Sequence, residues 1–220
     1  MPAGDAQPAA AGSRPAALTT ESLAQAAATL AAADPDLGRI YAELGPPPLW
    51  ARPPGFPTLV WIILEQQVSL ASARAAFNKL QGALGQVTPE AFLSLDDAEL
   101  KVAGFSRQKA GYCRGLARAI LDGELDLDSL EALDDDAARV RLVRVKGIGV
   151  WTANIYLLMC LLRPDIWPLG DLALAAALQE LKGLPARPDS AELARLAEPW
   201  RPWRAAAARL LWAYYLRPQG

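Results

Sequence analysis

Residues 139–174 read RVRLVRVKGIGVWTANIYLLMCLLRPDIWPLGDLAL, and the fold turns on this stretch. It parses as a basic helix, a tight glycine turn, an apolar helix, and a lone carboxylate opening another helix. Gly147 and Gly149 flank Ile148, so the backbone is expected to use conformations with φ > 0 that other residues avoid. A glycine turn between two helices leaves successive N–H groups pointing outward, beside the N-terminus of the helix beginning near Val150. Such a nest and a positive helix end both favour a phosphate oxygen. Asp171 follows the apolar helix, in a position to face whatever the hairpin holds.

Outward from the hairpin, strand signals are nearly absent and helical spacing recurs. N-terminal to it the spacing predicts a helix over 19–33, with Thr20 as N-cap and Asp34-Pro35 as its stop. Further helices are predicted over 58–64, 69–80, 89–93, 96–102, 106–122 and 135–145. C-terminal to the turn they fall over 150–162, 171–181, 190–197 and 203–216. Residues 45–57 carry six prolines and read as a stiff, non-helical connector. An all-α chain results. Residues 1–16, rich in Ala, Pro and Gly, read as a disordered tail, leaving 17–220 as the folded domain.

The 220-residue chain is long enough for a sizeable core, and 52% of it is hydrophobic. Its apolar runs are far shorter than the roughly 20 residues that span a bilayer, and the N-terminus lacks a secretory pattern. No membrane association is expected, and a cytoplasmic location fits best. Cys113 and Cys160 show no metal-ligand spacing, which argues against zinc, an iron–sulfur cluster or a disulfide framework. There is no histidine, so no mechanism can use an imidazole.

The net charge of −2 hides an uneven distribution. Three segments are basic without any acid. The first carries Lys101, Arg107, Lys109, Arg114 and Arg118; the second, Arg139, Arg141, Arg144, Lys146 and Arg163. The third carries Arg201, Arg204, Arg209 and Arg217. Between the first two, 122–136 holds eight acids and no base. Each run alone reads as a solvated face; together around a glycine hairpin they point to a local phosphate-binding face.

Asp171 is a natural helix N-cap, a role compatible with facing a cleft at the helix end. Trp151 lies in the first turn after the hairpin, where it could form an aromatic wall beside Asp171. Such a wall next to a carboxylate suits a planar, cationic guest. Gln66 and Gln67 interrupt an apolar run, either as solvated amides or as groups projecting from a helix break toward DNA.

Four strings carry a resemblance: PPGFPTLVWIILEQQVSLASA at 53–73, VKGIGVWTA at 145–153, RPDIWPLGDLAL at 163–174 and PWRPWRAAAARLLWAYY at 199–215. Through them the chain, from about Pro54 to Leu216, resembles the helix–hairpin–helix DNA glycosylase superfamily, and within it the bacterial 3-methyladenine DNA glycosylase II type. The resemblance implies a two-lobed helical fold with the active-site cleft between lobes of about 66–145 and 17–65 plus 146–220. It makes Asp171 the catalytic aspartate, and Trp151 and Trp212 aromatic walls of the base pocket. A second pocket aromatic of the family falls on Ile155. Lys146, Gly147, Ile148, Gly149, Val150 and Thr152 become the hairpin that holds a backbone phosphate, with Na+ or K+ on its carbonyls and no other cofactor. Gln67, next to Gln66, becomes the residue that wedges into the gap left by a flipped nucleotide.

The partner implied is double-stranded DNA containing alkylated bases, met by a monomer. Relatives that also cut the backbone carry a lysine where Trp151 stands, so hydrolysis without lyase activity is expected. Relatives that excise neutral adenine carry a glutamate where Ile62 stands, so no acid is in place for an uncharged purine. Two other readings stay open at this point. One is a non-catalytic DNA-binding module in which Asp171 only caps a helix; the other is a glycosylase for different damaged bases.

Overall fold

A computed structural model describes residues 16–218. Of the tail expected over 1–16, all but the last residue lies outside them. The described residues form twelve α-helices and two short 3-10 turns, with no strand. They are α1 (Thr20–Ala33), α2 (Pro35–Leu44), α3 (Phe56–Glu65), α4 (Leu70–Leu84), α5 (Pro89–Ser94), α6 (Asp97–Val102) and α7 (Arg107–Leu121). Then follow α8 (Asp135–Val143), α9 (Val150–Met159), α10 (Leu172–Lys182), α11 (Ser190–Ala197) and α12 (Arg204–Leu216). None is long and apolar enough to cross a membrane.

Short polar side chains start most of these helices by accepting the orphan N–H groups of a first turn. Thr19, not Thr20, caps α1, in a reciprocal box with Ser22. Ser69, Thr88, Asp96, Ser106, Asp134, Asp171 and Asp189 cap α4, α5, α6, α7, α8, α10 and α11. α2 departs from the expectation that Asp34-Pro35 is only a stop. Asp34 ends α1 and also caps α2, its Oδ1 accepting from Asp36 N and Leu37 N, while Pro35 enters the first turn without needing an N–H. Gly38 then lets the two helices close up, since a Cβ there would sit 2.8 Å from Ala31 O. α8 and α9 end two and three residues earlier than expected, at Val143 and Met159.

The helices pack in two groups. α1, α2 and α12 pack together with α10 against α12, while α5 and α6 pack on α7, and α3 on α4 and α7. α9 lies against α3 and carries α8. One continuous core of Leu, Ile, Ala and aromatic side chains runs through both groups. Two guanidiniums are buried in it. Arg209 of α12 donates to Leu49 O, Leu158 O and Ala205 O, and Arg163 donates to Leu130 O, Glu131 O and Leu133 O.

Candidate active site

Between α8 and α9 the chain makes the anticipated hairpin, but its two glycines do different work. Gly147 has φ 98°, and a Cβ there would overlap the ring of Tyr112 from α7. Gly149 has φ −85°, ordinary for any residue, so the expectation of a left-handed conformation holds only at Gly147. A Cβ at Gly149 would meet nothing within 4 Å. It is the N-cap of α9 and offers no side-chain cap, so bare backbone stands open at a positive helix end. Ile148 is buried and anchors the turn, while Lys146, Arg141 and Arg144 around it are not buried.

Gln66 reaches this hairpin from the end of α3. Its Nε2 donates to Gly147 O at 3.0 Å and to Thr152 Oγ1 at 2.9 Å, which turns the side chain inward to brace the hairpin rather than outward. Gln67, one residue on, is exposed and has φ 57°, left-handed for a side-chain-bearing residue. Lys109 of α7 donates to Leu64 O at 2.7 Å and Gln66 O at 2.8 Å, satisfying carbonyls left over where α3 ends. Burial pulls its pKa below the usual lysine range.

Asp171 is 7% exposed and caps α10 with one oxygen: Oδ1 accepts from Ala173 N and Leu174 N, both at 3.0 Å. Trp212 Nε1 donates to that same oxygen at 3.2 Å. Oδ2 accepts from Trp151 Nε1 at 2.9 Å. Four donors thus fix a nearly dry carboxylate, with most of them on one oxygen. The other oxygen keeps acceptor capacity, since each carboxylate oxygen offers two lone pairs. Gly170, at φ 79°, makes the turn that presents Asp171.

A cleft of about 1000 Å³ brings these pieces together. Its lining includes Gln66 and Gln67, Tyr112, Lys146 to Gly149, Trp151, Thr152 and Asp171. Two residues expected on a pocket wall are elsewhere. Ile155 is 2% exposed in the core of α9, on a helix that packs against α3. Trp212 is 7% exposed and hydrogen-bonded to Asp171, edge-on to Trp50 with ring centroids 6.4 Å apart. What the structure shows of it is an N–H on Asp171. Val150 is exposed at the start of α9 but outside the cleft lining.

The basic face is smaller than the sequence implied. Arg114 pairs with Asp97, Arg139 with Asp136, Arg201 and Arg204 with Asp165, and Arg217 with Glu180. Arg163, Arg209 and Lys109 are spent on carbonyls. Beside the hairpin this leaves Arg141, Arg144 and Lys146 at the surface. The sequence reading missed Tyr112 and Trp50, for which only a folded packing gives a signal, and counted Lys109 in the basic face although it is turned onto backbone carbonyls. It also missed Glu65, whose two oxygens bind Arg52 at the cleft edge and whose only hint was its place beside Gln66. No group of His, Cys, Asp and Glu among the described residues could hold a metal ion.

The family described as "HhH-GPD superfamily base excision DNA repair protein" matches residues 60–202. A DNA-3-methyladenine glycosylase of Bacillus subtilis is 30% identical over 145 residues, 60% of this chain and 48% of that protein. The chain spans about half the length of the Bacillus subtilis relatives it matches, 53% and 48%. Among solved structures, the Schizosaccharomyces pombe 3-methyladenine DNA glycosylase in complex with abasic DNA is similar with a TM-score of 0.80 and 28% identity. That match covers 86% of this chain and 95% of that one. A DNA-3-methyladenine glycosidase from Bacillus halodurans is similar with a TM-score of 0.73 and 29% identity, over 87% and 89% of the two chains.

Proposed function

This chain belongs to the HhH-GPD superfamily of base excision DNA repair proteins, and from that premise we propose that it is a monofunctional DNA glycosylase that hydrolyses the N-glycosidic bond of alkylated bases. The names of its relatives support the substrate class. The observation that carries the chemistry is the dry, four-donor carboxylate of Asp171 in the wall of a cleft that also exposes the hairpin.

A purine alkylated on a ring nitrogen is already cationic and leaves without being protonated, so a site without histidine suffices. The bond from C1′ to the base nitrogen breaks and its electron pair goes to the base, which becomes neutral. Positive charge builds on the sugar, where Oδ2 of Asp171 stabilises it, while Oδ1 stays committed to the cap. Water adds to C1′ and loses a proton. Trp151, half-buried in the cleft lining, presents an aromatic surface to the evicted base. Trp151 also stands where an amine would be needed for a covalent imine with the sugar, which supports hydrolysis without strand cleavage.

The DNA backbone is held at the hairpin, by Gly149 and the open end of α9 with Lys146, Arg141 and Arg144 around it. Val145 O and Gly147 O each accept one hydrogen bond, from Ile148 N and Gln66 Nε2, and keep a lone pair that would suit Na+ or K+ there. Such an ion would supply positive charge for a phosphate.

Release of free bases from methylated duplex DNA tests this reading. Wild type is expected to release 3-methyladenine, and Asp171→Asn to bind DNA but release none. No band should be trapped on DNA by borohydride. Release by neither protein with DNA binding intact would return Asp171 to a plain helix cap and favour the non-catalytic module.

A further inference from the structure

Two residues of α7, Lys109 and Tyr112, lie three apart and so share a helix face. That face meets both backbone elements exposed at the cleft. Lys109 Nζ grips Leu64 O and Gln66 O, on the near side of the turn that ends in Gln67. Tyr112 packs its ring on Gly147 so closely that no side chain fits there. Gln66 closes the circuit, its amide bridging from that same turn to Gly147 O and Thr152 Oγ1.

Inside this circuit sits an uncommon backbone. Gln67 holds φ 57° while its side chain is exposed at the cleft. A left-handed conformation at a non-glycine residue persists only where its surroundings impose it. Of the restraints on this turn, the Lys109 ammonium is the one that comes from another helix and grips the carbonyl immediately before Gln67. Two hydrogen bonds from a charged donor are stronger than neutral ones. Lys109 is also the residue of the first basic segment whose charge is turned into the protein at the cleft. Both of its acceptors are backbone oxygens at the base of this turn.

We propose that Lys109 is a positioning residue for base eviction: it fixes the left-handed turn that presents Gln67, while Tyr112 fixes the hairpin, so that α7 sets the distance between the two elements that grip the duplex. This rests on the glycosylase reading for its functional meaning. Its geometric content concerns the free protein and stands apart. Without the ammonium, Gln67 relaxes toward an ordinary conformation and swings from the cleft. Non-specific DNA binding then persists, because Lys109 touches no phosphate, but the distorted, lesion-containing duplex is no longer preferred.

Lys109→Met keeps the aliphatic stem and removes both hydrogen bonds. Three measurements are compared with wild type. Amide hydrogen exchange in the free protein should rise at residues 66–69 and stay unchanged in α1 and α12. The affinity for an undamaged duplex and its salt slope should hold, while the preference for a duplex with a tetrahydrofuran abasic analogue falls by about tenfold. Single-turnover base release from methylated DNA should slow by about ten- to a hundredfold, as expected when a positioning contact away from the chemistry is lost. A salt slope lowered by about 0.9 would make Lys109 a phosphate contact and overturn the proposal. So would a lower melting temperature with abasic preference unchanged, which a plain helix cap predicts. If Lys109→Met does not fold, Lys109→Gln, with a donor but no charge, replaces it. Should wild type release no base at all, the glycosylase reading fails, and exchange and abasic preference still decide the role of Lys109.

Discussion

At the scale of single residues, the decisive fact is how Asp171 is divided. One oxygen is spent on the cap of α10, and the other, held by Trp151, is the one the proposed mechanism uses. Trp212 acts on the capping oxygen, since its N–H donates to Oδ1 and Trp50 packs edge-on against its ring. A hydrogen bond to a charged acceptor contributes about 1.5–3 kcal/mol, which is about ten- to a hundredfold in a rate if all of it is felt at the transition state. Trp212→Phe keeps an aromatic ring while removing the donor and part of the indole's volume. It should slow single-turnover excision by about tenfold, with little change in affinity for abasic DNA, because the ring is 7% exposed in the free protein. Equal losses in both would show instead that Trp212 contacts the base. The sequence located this tryptophan near the carboxylate by resemblance. Whether an indole presents its face or its N–H is a matter of side-chain rotation, and no string of letters records that.

The hairpin shows the same limit at the scale of an element. Glycines at 147 and 149 announced a turn, and the turn is there, yet only packing against α7 tells them apart. Gly147→Ala must both strain a backbone at φ 98° and displace Tyr112, a combined cost of about 2–4 kcal/mol. Gly149→Ala meets no atom and no forbidden angle, and should change stability by about 1 kcal/mol or less. Chemical denaturation separates the two, and DNA binding adds a contrast. Gly149→Ala should fold normally and still bind more weakly, because its new methyl group stands where a phosphate would approach. Normal binding by a stable Gly149→Ala variant would remove that end of α9 from the interface. Most helices were legible from their caps and spacing, with boundaries off by a few residues. α2 was not, because Asp34 ends one helix and begins the next. The same Asp-Pro pair is a valid stop and a valid start, and only the packing of α2 on α1 decides that it is both.

For the molecule as a whole, the net charge was a poor guide and the basic segments only a partial one. Eight of the fourteen cations in those segments hold acids or carbonyls, so the sign of a stretch says little until its partners are known. Arg209 is the clearest case. It is fully buried, and joins α12 to the proline-rich connector through Leu49 O and to α9 through Leu158 O. Burial lowers its pKa to about 10, so at neutral pH the group is protonated in both the folded and the unfolded chain. Its contribution is then flat with pH below about 10. Above that the unfolded chain binds more protons than the native one, and stability from this group rises. Arg209→Met removes a buried charge, which helps, but strands the Leu49 and Leu158 carbonyls at about 1–3 kcal/mol each, which outweighs it. A net loss of about 2–3 kcal/mol is expected in denaturation. The effect should also travel. Leu49 precedes Trp50, Trp50 packs on Trp212, and Trp212 holds Asp171. The folded fraction of Arg209→Met should therefore show faster amide exchange at 49–52 and slower base release. A destabilised variant with full single-turnover activity would instead mean that the connector and the active site are energetically independent.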